Sequence, residues 1–226
     1  RLARGARLSC SSPSSGASGL AIHGGTPVRA TFLPYAHQQI SDEDVEAVAA
    51  ALRNFEQDRH ITLPARFREL EAARLQKLLD VWLAVEDKRG LPFEVIACEQ
   101  AAEVEIEEIK VKMIVDRIDR LVDGRQIIID YKTGAAIDIR NWAEQRISEP
   151  QLPIYAALVN DEVAAVVFAK VLLDKPGFAG VADARDILPG VQGIGDDKQK
   201  IFDPAEFPDW IAVVTHSVCA VATMAH

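Results

Sequence analysis

Asp119, Asp130 and Lys132 are the residues whose types and spacing could do chemistry. Asp130 and Lys132 stand two apart in an apolar, strand-forming run, so both side chains leave the same face. Asp119 lies on the preceding strand, across an Asp123-Gly124 hairpin turn, where it can bring a second carboxylate to that face. Two carboxylates converging at a sheet end make a hard, oxygen-rich site suited to Mg2+ or Mn2+. A lysine beside them can hold a water or offset charge developing on a phosphate, and phosphodiester hydrolysis needs those parts. An Asp–Lys ion pair at a strand end has the same spacing, because a charge at the rim of a core needs a partner. Spacing alone does not separate the two.

Hydrophobic periodicity outlines the elements that must carry these residues. Ser41, with Asp44 three residues on, is a candidate N-cap ahead of Val45, Val48, Ala49 and Leu52 at helical spacing. A second helix follows Pro64 and closes by Gly90, with Phe67, Leu70, Leu75, Leu78, Leu79, Trp82 and Leu83 at near-helical period. After Pro92 the period becomes two. Val104, Ile106, Ile109, Val111 and Met113 alternate with Glu103, Glu105, Lys110 and Lys112, an antiparallel pair turning at Glu107-Glu108. RQIIIDYKTG (125–134) is a buried strand, SEPQLPIYAALVN (148–160) a short helix and EVAAVVFAKVLL (162–173) another buried strand. Asp174 to Pro208, rich in Gly, Pro and Asp, reads as mostly loop, and Phe207 to His226 as a terminal helix. Helices and strands in this order give an α/β domain.

With 226 residues, 49% of them hydrophobic and 26% charged, the chain can bury a real core. Residues 1–40 read as a flexible, basic, Ser/Gly-rich arm, and residues 41–226 as the folded domain. Arg1, Arg4, Arg7 and Arg29 meet no acid before Asp42, a composition that also describes an organelle transit peptide. No apolar run is long enough for a membrane-spanning helix. Cys10, Cys98 and Cys219 lack CxxC spacing, which argues against a disulfide framework or structural zinc and for a reducing, cytoplasmic setting. The net charge of -9 speaks against a nucleic-acid partner when averaged over the chain. The charge is uneven, however: +4 over residues 1–41, +2 over 110–146 and -15 over the remainder.

VDRIDRLVDGRQIIIDYKTG (115–134), with EPQLPIYAAL (149–158) after it, resembles the RecB-type branch of the PD-(D/E)xK nucleases. That branch reads roughly GRIDRID…DG…IVDYKTG…QLxxY, and the likeness spans about residues 66–172. The resemblance implies a restriction-endonuclease-like core, a mixed central sheet flanked by helices, cleaving DNA with Mg2+ or Mn2+ in repair or recombination. It implies an exonuclease whose partners are DNA and a helicase or other repair subunit. Asp119 and Asp130 match its metal carboxylates and Lys132 its catalytic lysine, with the Tyr131 backbone carbonyl facing the metal. Gln151, Tyr155 and Arg117 match positions that support the site and the DNA strand. The family has Gly three residues before its first Asp; Asp116 stands there in this chain and reads as a solvated neighbour of Arg117 and Arg120. Its upstream GxxxH motif, whose His is a further metal ligand, matches Gly19 to His23, although Gly24, Gly25 and Pro27 would break the helix expected there. His37 and His60 carry no motif. Glu99 is either an acid of the preceding strand or a solvent-facing residue. An inactive module of the same fold, binding DNA or a helicase partner, is the alternative. Residues 24–52 are also similar to the N-terminal arm of sugar-nucleotide aminotransferases that use pyridoxal phosphate, without the large domain such enzymes need.

Overall fold

The computed structural model describes residues 40–106, 109–134, 137–145, 147–158 and 163–224. His23, His37, nearly all of the basic arm and the Glu107-Glu108 turn lie outside the described residues. Helix α1 (Asp42–Asp58) begins at Ser41, whose hydroxyl accepts from the Asp44 N–H while the Asp44 carboxylate accepts from the Ser41 N–H at 2.8 Å. Asp42, Glu43 and Asp44 fill its first turn, where the helix dipole favours negative charge. Helix α2 (Ala65–Glu86) follows Pro64, and Arg68 ties it back to Glu56 of α1 at 2.8 Å. Among the described residues no helix is long and apolar enough to cross a membrane.

Six strands form one sheet in sequential order: β1 (Phe93–Ile106), β2 (Ile109–Leu121), β3 (Gln126–Lys132), β4 (Val163–Lys170), β5 (Gly177–Ala182) and β6 (Gln192–Gly193). β3 runs parallel to β4 and β5 to β6; the other neighbours are antiparallel. The β3–β4 crossover carries a 3-10 turn (Ile139–Ala143) and helix α3 (Gln151–Leu158), and helix α4 (Trp210–Met224) closes the chain. This is the mixed sheet with flanking helices expected of a restriction-endonuclease-like α/β fold.

Alternation on the central strands sorts the core into two layers. Ile128, Val166 and Phe168 face Trp142, Leu152, Tyr155 and Phe202, whereas Ile127, Ile129, Ala165 and Val167 face Trp82 and Val85 of α2. Ile127, Ile128 and Ile129 are fully buried, and such burial stabilises by about 1.5–3 kcal/mol per side chain. β4 is buried from Val163 to Ala169 on both faces, which is why its sequence is continuously apolar.

The 174–208 segment is not simply loop, because β5 lies within it. GFAGVA has little intrinsic strand preference, so tertiary contact selects the conformation. Gly180 shows the constraint: an added Cβ would lie 2.1 Å from the Val166 carbonyl oxygen and 2.7 Å from Val167 Cα. Both obstacles are backbone atoms of β4, which cannot turn aside as a side chain would. Gly180→Ala is expected to cost at least about 1–3 kcal/mol. A thermal melt within 1 °C of wild type would contradict that spacing argument.

Candidate active site

A three-residue loop sets the geometry of the β2–β3 hairpin. Arg120 pairs with Gln126, the Leu121 N–H donates to the Arg125 carbonyl at 2.8 Å, and Gly124 takes a φ of 94°. Val122, Asp123 and Gly124 therefore form the loop, with glycine at its left-handed position. A two-residue Asp123-Gly124 turn would have set Asp119 opposite Ile128, on the face of Asp130. The longer loop shifts the register by one and sets Asp119 opposite Ile127, on the other face.

Asp119 is consequently not brought to Asp130 and Lys132, contrary to the sequence expectation. It is fully buried, accepting from Arg89 at 2.6 Å and from Arg117 at 2.6 and 2.9 Å. Glu86 of α2 joins the same group, 3.0 Å from Arg89 and 2.9 Å from Arg117. Arg89 lies over the Phe93 ring, 3.4 Å from its centroid, and Arg117 donates to the Tyr131 hydroxyl at 2.9 Å. The two arginines and two carboxylates balance in charge, which makes their burial tolerable. Burial alone would lower the Arg117 guanidinium, but Asp119, Tyr131 and Glu86 outweigh it and hold Arg117 above its ordinary value. The Arg117 side chain, which the sequence offered for site support and DNA contact, is 12% exposed and committed to this network.

On the opposite face the register brings Asp116, Asp130 and Lys132 together. The β2–β3 pairing ends at Arg117 and Ile129, so the strands part beyond it. At this fork the Asp116 carboxylate accepts the Tyr131 N–H at 2.7 Å. Asp116 is therefore half-buried and structurally engaged, not the solvated neighbour of Arg117 and Arg120 expected from the sequence. Asp130 is 6% exposed, with Lys132 Nζ 2.8 Å from its Oδ2. Burial raises the Asp130 carboxyl above the usual range; Lys132 opposes that rise, while nearby Asp116 and Glu149 add to it. The hydrogen bond to Asp130 raises the Lys132 ammonium above its ordinary value.

The Tyr131 ring points away from this cluster and meets Trp82 edge-on at 5.9 Å, leaving its backbone on the cluster's side. Gln151, the first residue of α3, donates to the Ile114 carbonyl at 2.5 Å, and Tyr155 is buried in the core one turn on. Glu99 sits exposed on β1 with a φ of 46°, and His60 is in the turn after α1 with a φ of 52°. Glu149, the first residue of the EPQLPIYAAL stretch though outside its QLxxY pattern, is held at a φ of 54° just before α3, where its charge reaches Asp130 and Lys132. A non-glycine residue in that region is uncommon and often marks a functional site, but it leaves no signature in sequence. A three-residue loop puts Asp116 on the Asp130 face, but the sequence does not decide the loop length.

The donors fit a hard divalent cation. Asp116 and Asp130 offer carboxylate oxygens, and Mg2+ is commonly held by one or two carboxylates while keeping several waters. Among the described residues no group of three or more His, Cys, Asp or Glu side chains gathers to hold a metal. Sheet and cluster define an α/β protein with a carboxylate–lysine centre. Residues 21–223 match the family model of the PD-(D/E)XK nuclease superfamily, and the chain belongs to that superfamily. No curated protein matches the sequence.

Because the network carries two charges of each sign, removing one member strands a buried charge. Asp119→Ala is expected to lose about 3–5 kcal/mol of stability. Asp116→Asn keeps an acceptor for the Tyr131 N–H and should stay within about 1 kcal/mol of wild type. Urea denaturation followed by circular dichroism compares them, and equal losses would show that the two carboxylates do not have these different roles.

Proposed function

We propose that the protein is a metal-dependent DNA nuclease of the RecB type, a Mg2+- or Mn2+-dependent exonuclease acting in cytoplasmic DNA repair or recombination. The observation that carries this reading is the meeting of Asp116, Asp130 and Lys132 at the β2–β3 fork, in a chain of the nuclease superfamily. Asp116 takes the metal-holding place that the sequence pattern offered to Asp119. Asp116 and Asp130 would hold the cation, with His23 and the Tyr131 carbonyl as candidates to complete the donor set. When bound, the cation supplies Lewis-acid polarisation of the phosphoryl oxygen and lowers the pKa of water. Lys132 contributes its own charge: it is held by Asp130 at 2.8 Å, beside the place where a phosphate would gain negative charge. Gln151 supports the site through its bond to β2, and Tyr155 anchors the same helix in the core. A helicase or other repair subunit would present the strand.

A second reading keeps the fold and the DNA but not the chemistry, as an inactive module that binds DNA or a helicase partner. It is favoured by the donor count, since among the described residues no group of three or more His, Cys, Asp or Glu side chains gathers closely enough to hold a metal. Incubation with end-labelled single- and double-stranded DNA in Mg2+ or Mn2+ separates the two. Cleavage is expected, abolished by chelation and lowered ~100-fold or more by Asp116→Asn, Asp130→Asn or Lys132→Ala. Calorimetric Mn2+ binding should vanish in Asp116→Asn while its melting temperature holds. Wild-type cleavage rates in Lys132→Ala would sink the catalytic reading, and unchanged Mn2+ affinity in Asp116→Asn would sink the carboxylate assignment.

A further inference from the structure

Beyond the carboxylate–lysine cluster, the same edge of the sheet carries a second lysine that the proposed chemistry does not use. β3 and β4 are parallel and in register from Ile127 with Ala165 to Lys132 with Lys170. Side chains of paired residues in parallel strands share a face, so Lys170 leaves the sheet on the face of Asp130 and Lys132. Core packing agrees: Ile128, Val166 and Phe168 lie in one layer, and the Lys132 ammonium is 5.3 Å from the Phe168 ring centroid. The sheet is still closed at this row, since the Val171 N–H donates to the Lys132 carbonyl at 2.9 Å. Lys170 therefore stands one strand, about 4.8 Å, from Lys132.

The two lysines differ in what they hold. Lys132 is committed to Asp130 at 2.8 Å. Lys170 is half-buried, and its ammonium makes no ion pair or hydrogen bond among the described residues. Its neighbour on β5 is Gly177, where a Cβ would meet nothing within 4 Å among the described residues. The row thus runs from Asp116 through Asp130 and Lys132 to an uncommitted cation beside open space. It lies at the carboxyl ends of the two parallel strands, where ligands of open α/β sheets characteristically bind.

We propose that Lys170 binds a backbone phosphate of the nucleic acid next to the one attacked, carrying the substrate strand across β4 toward β5. This rests on the nuclease reading for the identity of the substrate, although the contact requires only a polyanionic phosphodiester chain. It also explains how a chain of net charge -9 can hold DNA at this edge: Lys132 and Lys170 outnumber Glu149 there once a cation offsets Asp116 and Asp130.

Fluorescence anisotropy tests the contact, using a short fluorescein-labelled DNA duplex, full-length protein, Ca2+ in the buffer and a series of NaCl concentrations. Lys170→Gln is expected to weaken binding several-fold and to reduce the slope of log K against log salt by about 0.9, one phosphate's worth. Lys170→Arg should keep both affinity and slope. Mn2+ affinity should be unchanged in either variant, and in cleavage assays the Lys170→Gln defect should appear in KM more than in kcat. Wild-type affinity and slope in both Lys170→Gln and Lys170→Glu would overturn the proposal, as would a Lys170→Gln defect confined to Mn2+ binding. A wild-type protein that binds DNA through Lys170 yet never cleaves it would remove the nuclease reading and leave the phosphate contact standing.

Discussion

One residue of loop length decides which carboxylates meet. Side chains on a strand alternate with a period of two, so a hairpin of three loop residues presents the opposite set of β2 side chains from a hairpin of two. With Val122, Asp123 and Gly124 in the loop, Asp116 shares a face with Asp130 and Lys132, while Asp119 is turned into the layer between the sheet and α2. The buried network of Glu86, Arg89, Arg117 and Asp119 then reinforces that register, because a slip by one would carry two charged β2 side chains out of their pairing. The half-buried Asp116 beside Asp130 and the fully buried Asp119 on the other face are consequences of the same turn.

Most of the architecture was legible because it rests on local rules. The Ser41–Asp44 capping box, the start of α2 after Pro64, the 93–121 hairpin and the apolar β4 all fall where pattern and capping place them. β5 was not legible, since Gly177, Ala179 and Gly180 signal a loop and only the close approach of β4 makes them a strand. In the candidate site, Asp130 and Lys132 were readable from a spacing that holds for any strand. Asp119 was not, because its face depends on whether Val122 belongs to the strand or to the loop, and composition does not decide that. Lys170, and the nearness of Glu149 to Asp130, were invisible for a different reason: their places come from the long-range pairing of β3 with β4 and the crossover between them, which the QLxxY pattern does not specify.

The acidic net charge is likewise a poor guide when averaged over the chain. Balanced sets such as Glu56 with Arg68 and the buried quartet under the sheet add nothing to it, and residues 110–146, which carry most of the site, sum to +2 while the excess acid lies elsewhere in the sequence. Charge that matters to a phosphate is charge at one edge, and there two lysines flank two carboxylates suited to a cation.

The fork between β2 and β3 has one further consequence. Where two strands separate, each leaves amide and carbonyl groups without their ladder partners, and such groups must be answered if they are buried. Here the Asp116 carboxylate answers the Tyr131 N–H, while the Gln151 amide ties α3 to β2 at the Ile114 carbonyl. A side chain assigned to the chemistry thus also closes backbone that the fork leaves open, and a supporting one holds the neighbouring strand. Folding and reactivity are written into the same atoms, so an inactive variant at either position is informative about mechanism only when its backbone has been shown to remain in place.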